Sequence, residues 1–500
     1  MKKILVLFFA TCLPALFSCG PPRSVDPPPA ADPPPRDSTA DSPADSLADS
    51  LADSPADSPG EAPKDPAKCN PKEHSFPGQK SGFLDVPLSY EDPEGTDKVQ
   101  LYWEKFPATE TPRRGAVFFL AGGPIAHWMF HGPKSPHFLT GVFESYDFFM
   151  FDYRGINCSS RVQEMATLRS RLQKAPEAYS LPTMAKDVRS LRDHLVGKGK
   201  KIILFGGSYG FFLGLQILMD HPEIVESAIL FHGDSDAAFW HEGMLRLDSL
   251  ITGSLAERNP KFIAQLEALK KKFDDGKIIL FSGTDKELKL TWADFQVHLW
   301  INFAQNVAAQ ERLPLIIELI LKGGETAAKI LESFHQTSEG LAQRHLEDDP
   351  QPPPNADSLI TGYARCNVLF DKGVRADLAK RPRRGKFLGT EALVSYFNRV
   401  CRNLDSLPAR RYDLTRKLRP VAGQVLIVYT GRDMADPDRA AANLAKLGPS
   451  AKLVYEPEWS HDFGQDHEAG LKRFAKILRE FLGMDPSPSP SPSPSPSPSN

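Results

Sequence analysis

Gly206-Gly207-Ser208-Tyr209-Gly210 fits G-x-S-x-G, a pattern in which a serine sits on a sharp strand-to-helix turn with its hydroxyl exposed to a base. The pattern needs its flanks. Upstream, Lys201-Ile202-Ile203-Leu204-Phe205 is an apolar, β-branched run that predicts a buried strand. Downstream, Phe211 to Asp220 predicts an apolar helix ended by His221-Pro222. Glycines at 206 and 210 let that helix and strand approach closely. Ser208 is therefore the candidate nucleophile.

A serine nucleophile requires a base within hydrogen-bond reach and a group that orients the base. Two late segments supply them. A predicted strand, Gln424-Val425-Leu426-Ile427-Val428-Tyr429, runs into Gly431-Arg432-Asp433-Met434-Ala435-Asp436-Pro437. Another, Lys452-Leu453-Val454-Tyr455, runs into Glu458-Trp459-Ser460-His461-Asp462. Asp433 is assigned as the acid and His461 as the base. His467 competes for the second role, but its place at the start of the last helix suits a surface or capping residue. Asp436 competes for the first, but Pro437 beside it suits an N-cap of a helix over 438–447. Asp234 and Asp236, after the strand Ser227 to Phe231, are a third option. An oxyanion hole needs two backbone N–H donors. Tyr209, after the nucleophile, offers one. The loop Ala121-Gly122-Gly123-Pro124 offers the other; Pro124 has no N–H, so Gly122 or Gly123 must supply it.

These loops need a scaffold. Val99 to Phe106, Ala116 to Leu120 and Tyr146 to Phe151 read as strands, and Met184 to Leu195 has helical spacing. Alternating strands and helices predict an α/β fold whose mostly parallel sheet is covered by helices on both faces. Such sheets carry their sites at the carboxyl ends of the strands. From Asp236 to Pro420 the pattern changes to long polar helices, among them Thr291 to Gln305 and Leu313 to Leu321. The expected organisation is a core in two parts, 69–235 and 421–484, separated by a helical lid over 236–420. The chain's last predicted helix is amphipathic, Glu468 to Leu482.

The ends of the chain read differently. Residues 1–19 carry Lys2 and Lys3 followed by the apolar stretch Ile4 to Leu13, which reads as an export signal. Leu16-Phe17-Ser18-Cys19 resembles a bacterial lipobox, which would make Cys19 the site of lipid attachment and tether the protein to a membrane of the cell envelope. Residues 20–68, with Ala-Asp-Ser-Pro and Ala-Asp-Ser-Leu repeats, and the Ser-Pro run in 485–500 have almost nothing apolar to bury and read as a disordered tether and tail. The chain has 60 Lys and Arg against 63 Asp and Glu, a formal net charge of −3, so nothing points to nucleic acid. His127, His131 and His137 cluster loosely but lack a metal-binding frame; no metal or other cofactor is expected. Of six cysteines, Cys69, Cys158, Cys366 and Cys401 remain after the leader, consistent with disulfides in an exported chain. Cys366–Cys401 is the favoured pair, since both lie in the lid.

Several of these segments together resemble the prolyl iminopeptidase and tripeptidyl aminopeptidase family of α/β-hydrolases. Gly122-Gly123-Pro124 is similar to that family's G-G-P-G loop. Asp152-Tyr153-Arg154-Gly155-Ile156-Asn157-Cys158-Ser159 is similar to its D-x-R-G-x-G-x-S, and Gly206 to Gly210 to its G-G-S-Y-G-G. Asp433 to Pro437 is similar to its D-x-x-T-P, and Ser460-His461 stands where the family has G-H. The likeness covers about 115–235 and 422–484. The chain departs from it at Ile125, Asn157 and Phe211, each in place of a glycine, and at Asp436 in place of threonine; the acid loop is also one residue shorter. The resemblance implies an α/β-hydrolase fold, the chain order serine, acid, histidine, and cleavage of N-terminal residues from short peptides. Such an enzyme must hold the substrate's ammonium, and Glu242, beside Trp240 and just past a first strand of the lid, is the candidate carboxylate. An esterase or lipase would use the same triad, and a non-catalytic binding protein would keep only the fold.

Overall fold

The apolar runs fall where one twisted sheet needs them. The computed structural model describes residues 78–123, 142–162, 164–235, 239–275, 279–280, 288–289, 291–303, 307–331, 359–380, 382, 384–433, 437–461 and 467–484. Cys19, Cys69, Pro124, Ile125, the three histidines at 127, 131 and 137, Asp236, Asp436 and both terminal segments lie outside them.

Eight strands build the sheet: β1 (Lys80–Pro87), β2 (Lys98–Phe106), β3 (Gly115–Leu120), β4 (Tyr146–Phe151), β5 (Ile202–Gly207), β6 (Val225–Phe231), β7 (Gln424–Thr430) and β8 (Ala451–Glu456). Their spatial order is β1-β2-β4-β3-β5-β6-β7-β8. β1 pairs antiparallel with β2, and β2 with β4. The other pairings are parallel. The fold class is thus the expected one, with an antiparallel edge added.

Burial explains the patterns. β3, β5 and β7 are buried along nearly their whole length, as strands covered on both faces must be. Phe118, Phe205 and Ile229 are fully buried, each stabilising the fold by about 1.5–3 kcal/mol. β8 lies at the edge and leaves Leu453 and Tyr455 exposed.

Helices cover both faces. On one, α1 (Met165–Lys174) and α2 (Leu181–Leu195) precede β5, and α3 (Tyr209–Asp220) follows it. α2 starts three residues before the expected Met184 because Ser180 caps it, its hydroxyl accepting from the Thr183 N–H, with Pro182 in the first turn. α3 is buried on every side from Tyr209 to Met219. An added Cβ at its Gly214 would strike Leu230, so it packs on the Leu230 face of β6. The last helix (His467–Phe481) sits on the opposite face, where Phe474 meets the rings of Phe205 and Phe231 at 6.3 and 5.3 Å.

Between β6 and β7 the described residues are mainly helical. They include α4 (Phe239–Leu250), α5 (Phe262–Asp274), α6 (Trp292–Phe303), α7 (Val307–Lys322), α8 (Lys372–Lys380) and α9 (Thr390–Val400). α7 begins six residues before the expected Leu313 and carries Pro314 inside; its buried face, Gln310, Leu313 and Ile317, holds the turn that proline weakens. Asp248 of α4 accepts the N–H groups of Lys386, Phe387 and Leu388 at 2.6–2.8 Å, which fastens α4 to the segment before α9. Cys366 and Cys401 are joined by a disulfide, S–S 2.01 Å. Cys158 is disulfide-bonded as well. No helix among the described residues is long and apolar enough to cross a membrane.

Candidate active site

Strand register brings five strand ends to one edge of the sheet. Leu120 of β3 stands opposite Gly206 of β5. Gly207 of β5 stands opposite Phe231 of β6, and Phe231 opposite Val428 of β7. Thr430 of β7 stands opposite Glu456 of β8. The residues just past those ends are Gly122 and Gly123, Ser208, His232, Asp433 and His461.

Ser208 turns the chain from β5 into α3 with φ 56° and ψ −119°, a conformation non-glycine residues keep only where the surroundings enforce it. The enforcement is visible. Its N–H donates to the Phe231 carbonyl at 3.1 Å, and its carbonyl accepts from the Phe211 N–H at 3.0 Å. A Cβ on Gly210 would fall 1.9 Å from the Leu120 carbonyl oxygen, so α3 starts against the backbone of β3 only because residue 210 has no side chain. Tyr209 is the first residue of α3, directly before that contact. Gly123 has φ 114°, which a bulkier residue would resist.

Phe211 stands where the resembled family has glycine. Its ring is fully buried and occupies space that Gly233 leaves open: a Cβ at Gly233 would lie 2.4 Å from Phe211 Cγ. Asn157, another departure, adopts φ 45°, a backbone that asparagine tolerates better than most residues. Its amide nitrogen donates to Asp152 at 3.0 Å. The motif around it is structural. Arg154 is fully buried and clasps Asp187 through Nε at 2.6 Å and through Nη2, and also donates to the carbonyls of Leu88 and Ala178. Ser159 donates to the Asp152 carbonyl at 2.8 Å and accepts from the Tyr102 N–H at 2.7 Å, locking the end of β4 to β2.

Asp433 and His461 meet. His461 Nδ1 lies 2.9 Å from Asp433 Oδ2, and both are buried. Burial by itself would raise the pKa of Asp433, but the imidazole N–H groups of His461 and His232, positive toward the carboxylate, outweigh it and hold the carboxyl well below the usual carboxylate range. An ionised carboxylate can only accept, so His461 Nδ1 carries the hydrogen and Nε2 is the basic atom. The two loops are also tied by backbone: the Gly431 N–H donates to Glu456 and the Arg432 N–H to Trp459.

Two residues at this edge escaped the sequence reading. His232 has φ 58° and brings its own Nδ1 to 3.3 Å from the same Asp433 oxygen. Burial pushes its pKa down, more than Asp433 pulls it up. Its only signal in the sequence was a histidine directly after the strand that neighbours the elbow strand. Arg246 of α4 donates through Nε to the Asp433 carbonyl at 3.1 Å and through Nη2 to the Gly431 carbonyl. It reaches them across 185 residues of sequence, so no local signal existed.

Glu242 lies in the first turn of α4, one turn before Arg246 and not after a strand as expected; no strand occurs among the described residues between β6 and α4. It is half-buried. A cavity of about 390 Å³ borders α4 and the acid loop, lined by residues including Gly243, Arg246, Leu247, Gln310 and Asp433. The rival acid Asp234 is fully buried, and its Oδ1 accepts from the Ser235 N–H at 2.6 Å. His467 begins the last helix. The ligand atoms of His232, Asp433 and His461 lie within 4.8 Å of one another and are the one trio among the described residues close enough to share a metal; two N–H donors on an ionised carboxylate account for the same spacing.

A family model described as alpha/beta hydrolase fold matches residues 115–467. A proline iminopeptidase of Lactobacillus acidophilus is 37% identical over 73 residues, 14% of this chain and 24% of that protein. This chain therefore spans about a quarter of that curated relative. Among solved structures, the proline iminopeptidase of Mycobacterium smegmatis is similar at a TM-score of 0.39 and 14% identity, over 81% of this chain and 100% of that one. A thermophilic esterase from Thermogutta terrifontis gives a TM-score of 0.34 and 15% identity over 80% and 98%. The homoserine O-acetyltransferase of Staphylococcus aureus gives 0.40 and 14% over 82% and 97%. Their named activities differ, and at such identities none of them transfers to this chain.

Proposed function

The chain belongs to the alpha/beta hydrolase fold family, and we propose that within it this protein is a serine hydrolase that releases N-terminal residues from short peptides. The observation that carries the reading is the buried Asp433–His461 hydrogen bond at the sheet edge where Ser208 holds a left-handed backbone. In this mechanism His461 Nε2 takes the proton of the Ser208 hydroxyl as its oxygen attacks the substrate carbonyl. The N–H groups of Tyr209 and of Gly123 or Gly122 receive the developing oxyanion. His461 then passes its proton to the leaving amine, an acyl-Ser208 ester remains, and water activated by the same imidazole hydrolyses it. Asp433 fixes the imidazole and offsets its transient charge. No step requires a cofactor.

The peptidase part of the proposal rests on the ordered motifs and on the stretch shared with a proline iminopeptidase. A free N-terminal ammonium needs an anionic partner inside the site. Glu242 is the proposed one. It precedes Gly243, which lines the cavity beside Asp433, so its carboxylate rides on the helix that borders the catalytic group. The segment 236–420 is proposed as the lid that frames the pocket. Export and anchoring through Cys19 complete the proposal and place peptide cleavage in the cell envelope.

The test is a comparison of prolyl and alanyl anilides with free amines, their N-acetylated forms, and a short-chain nitrophenyl ester, with Ser208→Ala as blank. Turnover of the free-amine anilides alone is expected. Turnover of the ester alone, or of free and blocked anilides alike, would replace the aminopeptidase with an esterase or an unselective hydrolase.

A further inference from the structure

Two imidazoles converge on one carboxylate oxygen. His461 Nδ1 and His232 Nδ1 lie 2.9 and 3.3 Å from Asp433 Oδ2, and their rings are 4.9 Å apart. All three side chains are buried. His232 reaches the oxygen from the end of β6, His461 from the loop after β8, so the carboxylate is gripped from two sides by elements that flank β7.

The chemistry fixes the protons. Asp433 is ionised and can only accept, so attraction at both contacts requires hydrogen on both Nδ1 atoms. One buried negative charge cannot balance two imidazoliums, and burial favours the neutral form of His232. His232 is therefore the neutral Nδ1–H tautomer, His461 also presents Nδ1–H to the carboxylate, and both lone pairs of Oδ2 are taken. A serine–histidine–aspartate group needs one imidazole; here a second one is present, in a left-handed backbone that costs about 1–2 kcal/mol. Strain of this kind persists where the surroundings over-determine it, and it clusters at active sites.

We propose that His232 is a positioning residue for the catalytic group: as a second Nδ1–H donor to Asp433 Oδ2, it keeps the carboxylate turned toward His461 and shares its charge. The inference rests on the triad reading above and is indifferent to whether the substrate is a peptide or an ester. It has a direct consequence. When His461 takes the serine proton, the imidazolium meets a carboxylate whose charge is already partly satisfied, so the proton is held less tightly and passes on more readily to the leaving group. Without His232 the whole charge falls on His461. Among the described residues the other charged group bonded to this loop is Arg246, whose guanidinium binds the Asp433 and Gly431 carbonyls from α4 and is the same in every variant.

The test uses the full chain and three substitutions. His232→Asn keeps an N–H donor at the Nδ1 position, His232→Gln moves it to the Nε2 position, and His232→Phe keeps bulk without a donor. The readout is the second-order rate of Ser208 phosphonylation by a fluorophosphonate across pH. His232→Phe and His232→Gln are expected to react about tenfold more slowly, the loss of one hydrogen bond to a charged group, with the acid limb of the profile moved to higher pH. His232→Asn is expected to restore both rate and limb. Proton NMR provides a readout free of reactivity: two downfield imidazole N–H signals in the native protein and one in His232→Phe. A native rate and limb in His232→Phe would overturn the inference, as would His232→Asn as impaired as His232→Phe, which would make the role one of packing. If His232→Phe does not fold, Asn against Gln decides the same question. Failure of the native protein to react, with Ser208→Ala equally inert, would instead overturn the triad reading, and the inference would fall with it.

Discussion

At the scale of single residues, the account turns on the ionised Asp433 and the tautomer it imposes on His461. Asp433→Asn keeps the shape but can present an amide N–H to Nδ1, which stabilises the wrong tautomer; turnover is expected to fall about 10⁴-fold, measured as kcat against the free-amine anilide. Glu242→Gln tests the ammonium partner. It is expected to raise KM for free-amine anilides about 10- to 100-fold, the loss of a hydrogen bond between charged groups, while leaving ester hydrolysis near native. Equal losses on both substrates would return Glu242 to an ordinary surface charge. Asp433 and His461 were legible in the sequence because each follows an apolar strand and their order along the chain constrains their roles. His232 follows a strand as well, yet nothing near it in the sequence says that β7 will be its neighbour. Its partner lies 201 residues away.

At the scale of elements, the elbow shows how a departure from a family pattern is absorbed. Phe211 stands where the resembled family has glycine, and Gly233 on the next strand end makes room for its ring. Gly233→Ala is expected to destabilise the fold by about 1–3 kcal/mol through overpacking, and Phe211→Gly in the same chain to recover part of that loss. Chemical denaturation of the two single variants and the double variant reads the coupling; additive effects would separate the two residues. The strands β3, β5 and β7 were readable because strands buried on both faces are continuous runs of Val, Ile, Leu and Phe. β1 was not. Its sequence, Lys-Ser-Gly-Phe-Leu-Asp-Val-Pro, has weak strand character, and its place comes from antiparallel pairing along β2. The early start of α7 was hidden by Pro314, which reads as a helix beginning and proves to lie within one.

At the scale of the whole molecule, buried titratable groups set the response to acid. Burial holds His298 well below its usual pKa of 6.5 and lowers His232 as well, while Asp433 is held below the usual 3.8. In each case the unfolded chain binds a proton at a pH where the native protein does not. Stability therefore falls as pH drops, first below about 6.5 for the histidines and again below 3.8 for Asp433. His298→Gln is expected to flatten the first fall in a plot of unfolding free energy against pH; an unchanged slope between pH about 6.5 and 5 would mean that His298 titrates alike in both states. Strand register brings together the ends of β5, β7 and β8, after which Ser208, Asp433 and His461 stand, and loop hydrogen bonds fix the last two. The most direct measurement is peptide mapping by mass spectrometry after reaction of the full chain with a fluorophosphonate. A single adduct on Ser208, lost in Ser208→Ala and slowed in His461→Ala, is the predicted result. An adduct on another residue, or none at all, would contradict the account.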